Sequence, residues 1–137
     1  MNDLKPPRVW HKKDKQMYPV DALYWHDQEF DSIWIVDKDS LTDDDRRCNP
    51  EDVILMMPTG LQDKNGKEIY EGDIVTMNPV DDNWNDVVIF KNGHFELRSY
   101  KSPVTDCSLQ DWCYGSKNPC IVIGNIYENP DLLEETK

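Results

Sequence analysis

The side chains with chemical reach in this sequence are three histidines, four cysteines and a dense set of carboxylates. A catalytic histidine needs a partner at set spacing to hold its tautomer and pass its proton. His11 lies in a lysine-rich stretch, His26 in LYWHDQEF and His94 at the start of HFELR. None stands in an H-E-x-x-H or G-x-S-x-G frame, so surface or packing roles suit all three. Cys48, Cys107, Cys113 and Cys120 contain no C-x-x-C pair. Their spacing does not supply the two close ligand pairs of a structural zinc site, and reduced thiols in a cytosolic protein are the reading that fits.

Asp37, Asp39, Asp43, Asp44 and Asp45 are oxygen ligands of the kind a hard cation takes. The EF-hand pattern asks for glycine at the sixth loop position and glutamate at the twelfth, and counting from Asp37 these positions hold Thr42 and Cys48. A solvated acidic loop is the default. The six glycines form neither G-x-G-x-x-G nor a G-K-[ST] loop, so no phosphate cradle is written here. No catalytic residue, cofactor or metal is assigned.

Binding is better represented than catalysis. Asp63, Lys64, Asn65 and Lys67 fall in TGLQDKNGKEIYEGDIV and make a charged, turn-borne candidate interaction loop. The competing reading is structural: Gly60, Gly66 and Gly72 mark turns, Asn65-Gly66 reads as a type I′ hairpin turn, and Asp63 and Asp73 bond nearby backbone amides. Trp10, Trp25 and Trp34, with Tyr18, Tyr24 and Phe30, concentrate aromatic rings in the first 34 residues. Beside cations such rings can stack bases, and they equally serve as core or as anchors of a subunit interface.

The chain that must position these groups has 137 residues, enough for one compact unit of two subdomains. Its 15 Lys and Arg against 27 Asp and Glu give a net charge of −12. The charge is uneven: residues 1–20 hold five cations and two anions, and residues 21–137 hold ten cations and 25 anions. An acidic body with a short basic lead repels polyanions, which argues against nucleic-acid binding by the body and leaves the question open for the lead. No run approaches 18 apolar residues and no apolar segment opens the chain, so neither membrane insertion nor secretion is expected.

Many short apolar runs between turn residues specify a mainly β fold. SIWIV (32–36) is the first clear strand, and Asn49-Pro50-Glu51-Asp52 signals a helical turn before VILMM. VVIF-KNG-HFELR reads as a hairpin with Phe95 and Leu97 facing inward, partnered by Val88 and Phe90. Leu109 to Tyr114 reads as a short helix or 3-10 turn, Cys120 to Ile123 as a strand broken at Gly124-Asn125, and Asn129-Pro130-Asp131 as the start of a terminal helical turn with Leu132 and Leu133 packing back. The expected organisation is a β/irregular subdomain with an acidic loop over 1–57 and a C-terminal SH3-like small barrel over 58–137, with one or two short helical turns.

Arg8-Val9-Trp10, Lys15, Met17, Leu55-Met56 leading into TGLQDKNGKEIYEGDIV, and IVIGNIYENPDLL together resemble the YopX family of phage and prophage proteins. Weaker matches at Phe90, Asn92, Gly93 and Phe95 extend the resemblance along most of the chain. It implies a mostly β fold in the cytoplasm of an infected host, and it carries no activity, cofactor or catalytic residue to transfer. Three functions are compatible with these observations. The first is a non-catalytic interaction module for a host or phage protein, and association of the chain with itself is also plausible. The second is an acidic mimic of DNA that occupies a host nuclease or DNA-binding protein. The third, least supported, is a Mg²⁺-dependent hydrolase or nuclease.

Overall fold

Runs of β-branched and aromatic residues, cut by turns too tight for helix, set the elements of the first 57 residues. The computed structural model of the chain describes residues 5–38, 45–76, 85–99, 106–109 and 120–133. It divides into two units, Met1–Met57 and Pro58–Lys137. In the first unit, β1 (Arg8–His11), β2 (Gln16–His26), β3 (Glu29–Ile35), β4 (Arg46–Cys48) and β5 (Val53–Met56) form one antiparallel sheet in the order β4-β3-β2-β1-β5. A single 3-10 turn, Pro50–Asp52, turns the chain from β4 into β5, which returns beside β1. Proline suits this start because its missing N–H has no partner to lose. Asn49 precedes it without making a side-chain cap bond. Val9, Val20, Ile33, Ile35, Cys48 and Val53 are buried on one face of the sheet, with Tyr18, Leu23, Phe30 and Leu55 packed around them.

The second unit opens with a two-stranded ribbon, β6 (Pro58–Gln62) and β7 (Glu68–Tyr70). Then β8 (Asp73–Thr76), β9 (Asn85–Lys91), β10 (His94–Ser99), β11 (Asp106–Ser108) and β12 (Ile121–Asn125) form a sheet in the order β11-β10-β9-β8-β12. The two sheets share one connectivity: a four-strand meander whose fifth strand comes back beside the first. Ile69, Val75, Val88, Leu97, Leu109 and Cys120 form the buried core of this unit, with Leu61, Phe95 and Val122 against it.

Mainly β architecture is what the sequence pattern specifies, and three details differ from it. The C-terminal barrel is not closed: among the described residues β12 pairs with β8 alone and β11 with β10 alone, leaving the sheet open between its two edge strands. The turn at Asn65-Gly66 is not type I′, because only Gly66 has positive φ (84°); Asp63 closes it instead, as described below. Gly124-Asn125 does not break its strand, since β12 continues to Asn125 through a bulge between Val122 and Gly124. The expected C-terminal helical turn is present as a 3-10 turn, Pro130–Leu133. Residues 110–114 of the expected short helix and residues 39–44 of the acidic loop lie outside the described residues. No helix among the described residues is long and apolar enough to cross a membrane.

Candidate functional site

The longest hairpin, β2–β3, ends in a two-residue turn at Asp27 and Gln28, whose φ values are 52° and 69°. Positive φ at both central residues is the type I′ signature, here without the glycine that usually relieves it. Each such residue costs about 1 kcal/mol in backbone strain, which marks the tip as a place worth testing for function. A register shift between Tyr24 and Trp25 re-aims the strand next to the turn. It brings Trp25 opposite Phe30, ring centroids 5.0 Å apart and planes at 20°. Phe30 in turn packs on the core of its unit. Trp25 is thus held by a core-anchored ring while 59% of it faces solvent, with exposed Tyr24 as its chain neighbour. Asp21, Asp27, Glu29 and Asp31 of this hairpin are exposed, and Asp31 is paired with Arg47 at 3.8 Å.

The corresponding hairpin of the second unit, β9–β10, repeats the device. Asn92 and Gly93 have φ of 54° and 84°, again type I′. Phe90 lies opposite Phe95 at 5.1 Å, edge to face, and Phe95 packs on the core. Phe90 pairs with Phe95 as the alternation indicates, yet it is 55% exposed rather than an inward core residue, because it stands beyond the last buried pair, Val88 and Leu97. Lys91 and Arg98 are exposed on the face of this hairpin opposite Phe90, with Arg98 in register with Val87 and Asp106. Glu96, the neighbouring acid, is buried and sits 2.9 Å from Nε2 of half-exposed His94.

A third cluster joins the β1–β2 turn to β4. Asp14 accepts hydrogen bonds on Oδ2 from the Tyr18 hydroxyl at 2.8 Å and from Arg46 Nη2, and Arg46 Nη1 lies 3.2 Å from Asp37. The Arg46 guanidinium also sits over the Tyr18 ring at 5.2 Å. His11 Nδ1 accepts the Asp14 amide hydrogen at 3.1 Å and lies 3.5 Å from Asp14 Oδ1. The Arg46 hydrogen bond holds the Asp14 carboxyl below its usual range, and burial, helped by the Asp14 bond, pushes the Tyr18 phenol up. These groups border a cleft of about 520 Å³ that also exposes Lys12, Lys13, Glu51 and Asp52. Two of its cations are engaged: Lys12 Nζ donates to the Glu51 carbonyl at 2.9 Å and Arg47 to Asn49 at 3.0 Å. The cluster is a cross-strand latch that ties β4 to the β1–β2 turn and to Tyr18.

The residues singled out in the sequence fall in both units and play different parts in each. Asp63 is buried, and its carboxylate is consumed by three backbone amides: Oδ1 accepts from Asn65 and Lys67 at 2.9 Å, and Oδ2 from Val122 at 3.0 Å. It is therefore a structural residue that leaves Lys64, Asn65 and Lys67 exposed around it. Trp10, opposite Met17 and Ile54, and Trp34, opposite Ala22 and Arg47, are half-buried. Both alternate with core residues and so lie on the sheet face turned away from the core, two strands apart. Of the three tryptophans, Trp25 alone is a presented ring. Phe90 is the member that sequence reasoning missed; the only sign of it was an apolar residue abutting an Asn-Gly turn. Among the described residues no group of three or more His, Cys, Asp and Glu is placed to hold a metal ion.

A family model described as YopX protein matches residues 8–134. Among solved structures, the one titled "Crystal structure of protein EF1440 from Enterococcus faecalis" is similar to this chain, with a TM-score of 0.65 and 26% sequence identity over 94% of this chain and 97% of that one. No curated protein matches the chain.

Proposed function

The chain belongs to the YopX protein family, and from that starting point we propose that it is a non-catalytic protein-interaction module whose contact residues are the aromatic hairpin tips. The observation that carries this reading is Trp25: a large ring, stacked at 5.0 Å on a core-anchored Phe30, with more than half its surface in water. An exposed ring with its rotamer already held loses little entropy on binding, and tryptophan anchors of this kind supply much of the energy at protein interfaces. The strained, glycine-free turn that presents it supports the same reading. In the second unit the strand order supports an SH3-like reading of the sheet, with the β9–β10 hairpin as its presented loop. The setting we propose, from the family resemblance, is the cytoplasm of a phage-infected host.

The test is capture of partners by the immobilised full chain and by the double variant Trp25→Ala, Phe90→Ala, after circular dichroism has shown that both fold alike. Proteins from infected cells retained by the parent and released by the variant support the proposal. Identical retained sets, or none, would overturn it.

A further inference from the structure

The chain holds two Asn-Gly dipeptides, Asn65-Gly66 and Asn92-Gly93, each preceded by a lysine and each exposed at a turn. Asparagine before glycine is chemically labile, because no side chain on the second residue keeps its main-chain nitrogen from reaching the asparagine amide. Neither glycine has an atom within 4 Å of where a Cβ would stand, so crowding does not separate the two sites. Their hydrogen bonds do. At the first, the Gly66 amide donates to the Asp63 carbonyl at 3.0 Å, and Asp63 Oδ1 accepts from Asn65 and Lys67 on either side at 2.9 Å. At the second, a two-residue type I′ turn with φ of 54° and 84° is closed by the Lys91–His94 pair, and the amide between the two central residues stands outside the ladder. We infer that Asn92 is a self-modification site: its side-chain amide is lost to the Gly93 nitrogen, so that the β9–β10 tip becomes an aspartyl or isoaspartyl turn, while the fold protects Asn65.

The step needs only water as co-reactant. The Gly93 nitrogen gives up its proton to water and attacks Cγ of Asn92. The N–Cγ bond forms, the Cγ–Nδ2 bond breaks, and the departing nitrogen takes up a proton and leaves as ammonia. The cyclic imide that results then adds water at one of its two carbonyls. Opening at Cγ leaves aspartate; opening at the main-chain carbonyl leaves an isoaspartyl residue, with the chain routed through the side chain. Either product adds a negative charge, and the second lengthens the main chain of a two-residue turn. That turn lies next to the Phe90–Phe95 ring pair, which the isoaspartyl form is expected to loosen. Ring closure requires Asn92 to leave its left-handed conformation, and an exposed hairpin tip opens without disturbing buried groups. The same rotation at Asn65 must break the Gly66 bond and pull against buried Asp63, whose other oxygen holds the Val122 amide at 3.0 Å.

Storage of the full chain at pH 8, sampled over time and read by peptide mapping with mass spectrometry, tests this. Asn92 is expected to convert at least about tenfold faster than Asn65, the factor that one retained hydrogen bond supplies. Elution and fragmentation tell the aspartyl and isoaspartyl products apart. The same measurement in concentrated guanidinium chloride is the control: both sites read Lys-Asn-Gly, so they should convert at similar rates once the fold is gone. A large native difference that collapses in denaturant supports the inference. Equal native rates, faster conversion at Asn65, or a difference that persists in denaturant overturns it. So does an Asn92 that survives in the folded chain while it converts in denaturant. Partner capture by freshly prepared protein is read separately, so the interaction reading stands or falls on its own test.

Discussion

Asp63 Oδ2 accepts the amide hydrogen of Val122 at 3.0 Å, a bond that joins the β6–β7 turn to the first residues of β12 across 59 positions of sequence. The neighbouring main chain reinforces it, since the Lys64 amide donates to the Cys120 carbonyl at 2.8 Å. With Oδ1 also holding Asn65 and Lys67, a single buried carboxylate closes a turn and fixes the strand beside which β8 lies. Asp63→Ala is expected to cost about 2 kcal/mol, because three backbone amides lose a charged acceptor and that of half-buried Val122 has the least access to water in exchange. Asp63→Asn should cost somewhat less, as its carbonyl can still serve one side while its NH₂ faces a donor. Urea midpoints of the two variants check this; a loss below 1 kcal/mol for alanine would show that the turn closes without the carboxylate.

Gly66 and Gly124 separate two reasons for glycine. Gly66 has φ of 84° and no atom within 4 Å of an added Cβ, so Gly66→Ala should cost only left-handed backbone strain, about 1 kcal/mol. At Gly124 a Cβ would meet Asn129 Oδ1 at 2.5 Å and its Cγ at 2.8 Å. That oxygen accepts the Asn125 amide hydrogen at 3.2 Å, so Gly124→Ala must expel a side chain that satisfies the backbone, at about 2 kcal/mol. Adding Asn129→Ala to Gly124→Ala should cost little more than Gly124→Ala alone. A double-mutant cycle that gives strictly additive values would reject this steric account.

Those same positions show why part of the structure was legible in the sequence and part was not. Asn92-Gly93 announces its hairpin because both residues accept positive φ, and the register Phe95–Phe90 and Leu97–Val88 follows from simple alternation. In the first unit the signals fail. Strand β2 is eleven residues long, yet it carries Pro19 and two register shifts, after Val20 and Tyr24, each of which resets the alternation that reveals a strand. Its turn, Asp27-Gln28, contains no glycine. The candidate tip was half visible for the same reason: Trp25 stood out by type, but its stacking on Phe30 depends on a bulge that composition does not encode. Asn65-Gly66 misled in the opposite direction, because a nearby buried acid outranked the local turn preference.

The Asp14 latch predicts an acid response with a definite sign. Its carboxyl titrates lower in the folded protein than in the unfolded chain, chiefly through the Arg46 hydrogen bond. The unfolded state therefore takes up a proton first as pH falls, and the stability contributed by Asp14 is present above the usual carboxylate range and lost progressively below about pH 4. Tyr18 behaves in the opposite sense: its raised folded value means a contribution kept at neutral pH and lost as alkali ionises the phenol. Asp14→Asn should lower stability by about 1 kcal/mol at pH 7 and flatten the acid limb. Urea unfolding from pH 7 to pH 2.5, with amide exchange of the β1–β2 pair as the local probe, reads both effects; an unchanged acid limb in the variant would place the titration elsewhere.

Cys48 turns that latch into something a reagent can time. Its thiol is 5% exposed in the core of the first unit, and burial pushes its ionisation up while the neighbouring Arg46 pulls weakly the other way. A neutral, covered thiol is a poor nucleophile, so alkylation at pH 8 must wait for β4 to leave β3 or for the unit to open. Native protein should therefore modify Cys48 at least about 100-fold more slowly than an unstructured thiol, which corresponds to an opening free energy of roughly 3 kcal/mol. Asp14→Asn removes the carboxylate that tethers Arg46, two residues before Cys48, and should speed labelling of Cys48 about fivefold while leaving the buried Cys120 of the other unit at its parental rate. Peptide mapping by mass spectrometry separates the two sites. Equal acceleration at both would mean that the units open together and that the latch is not local to the first.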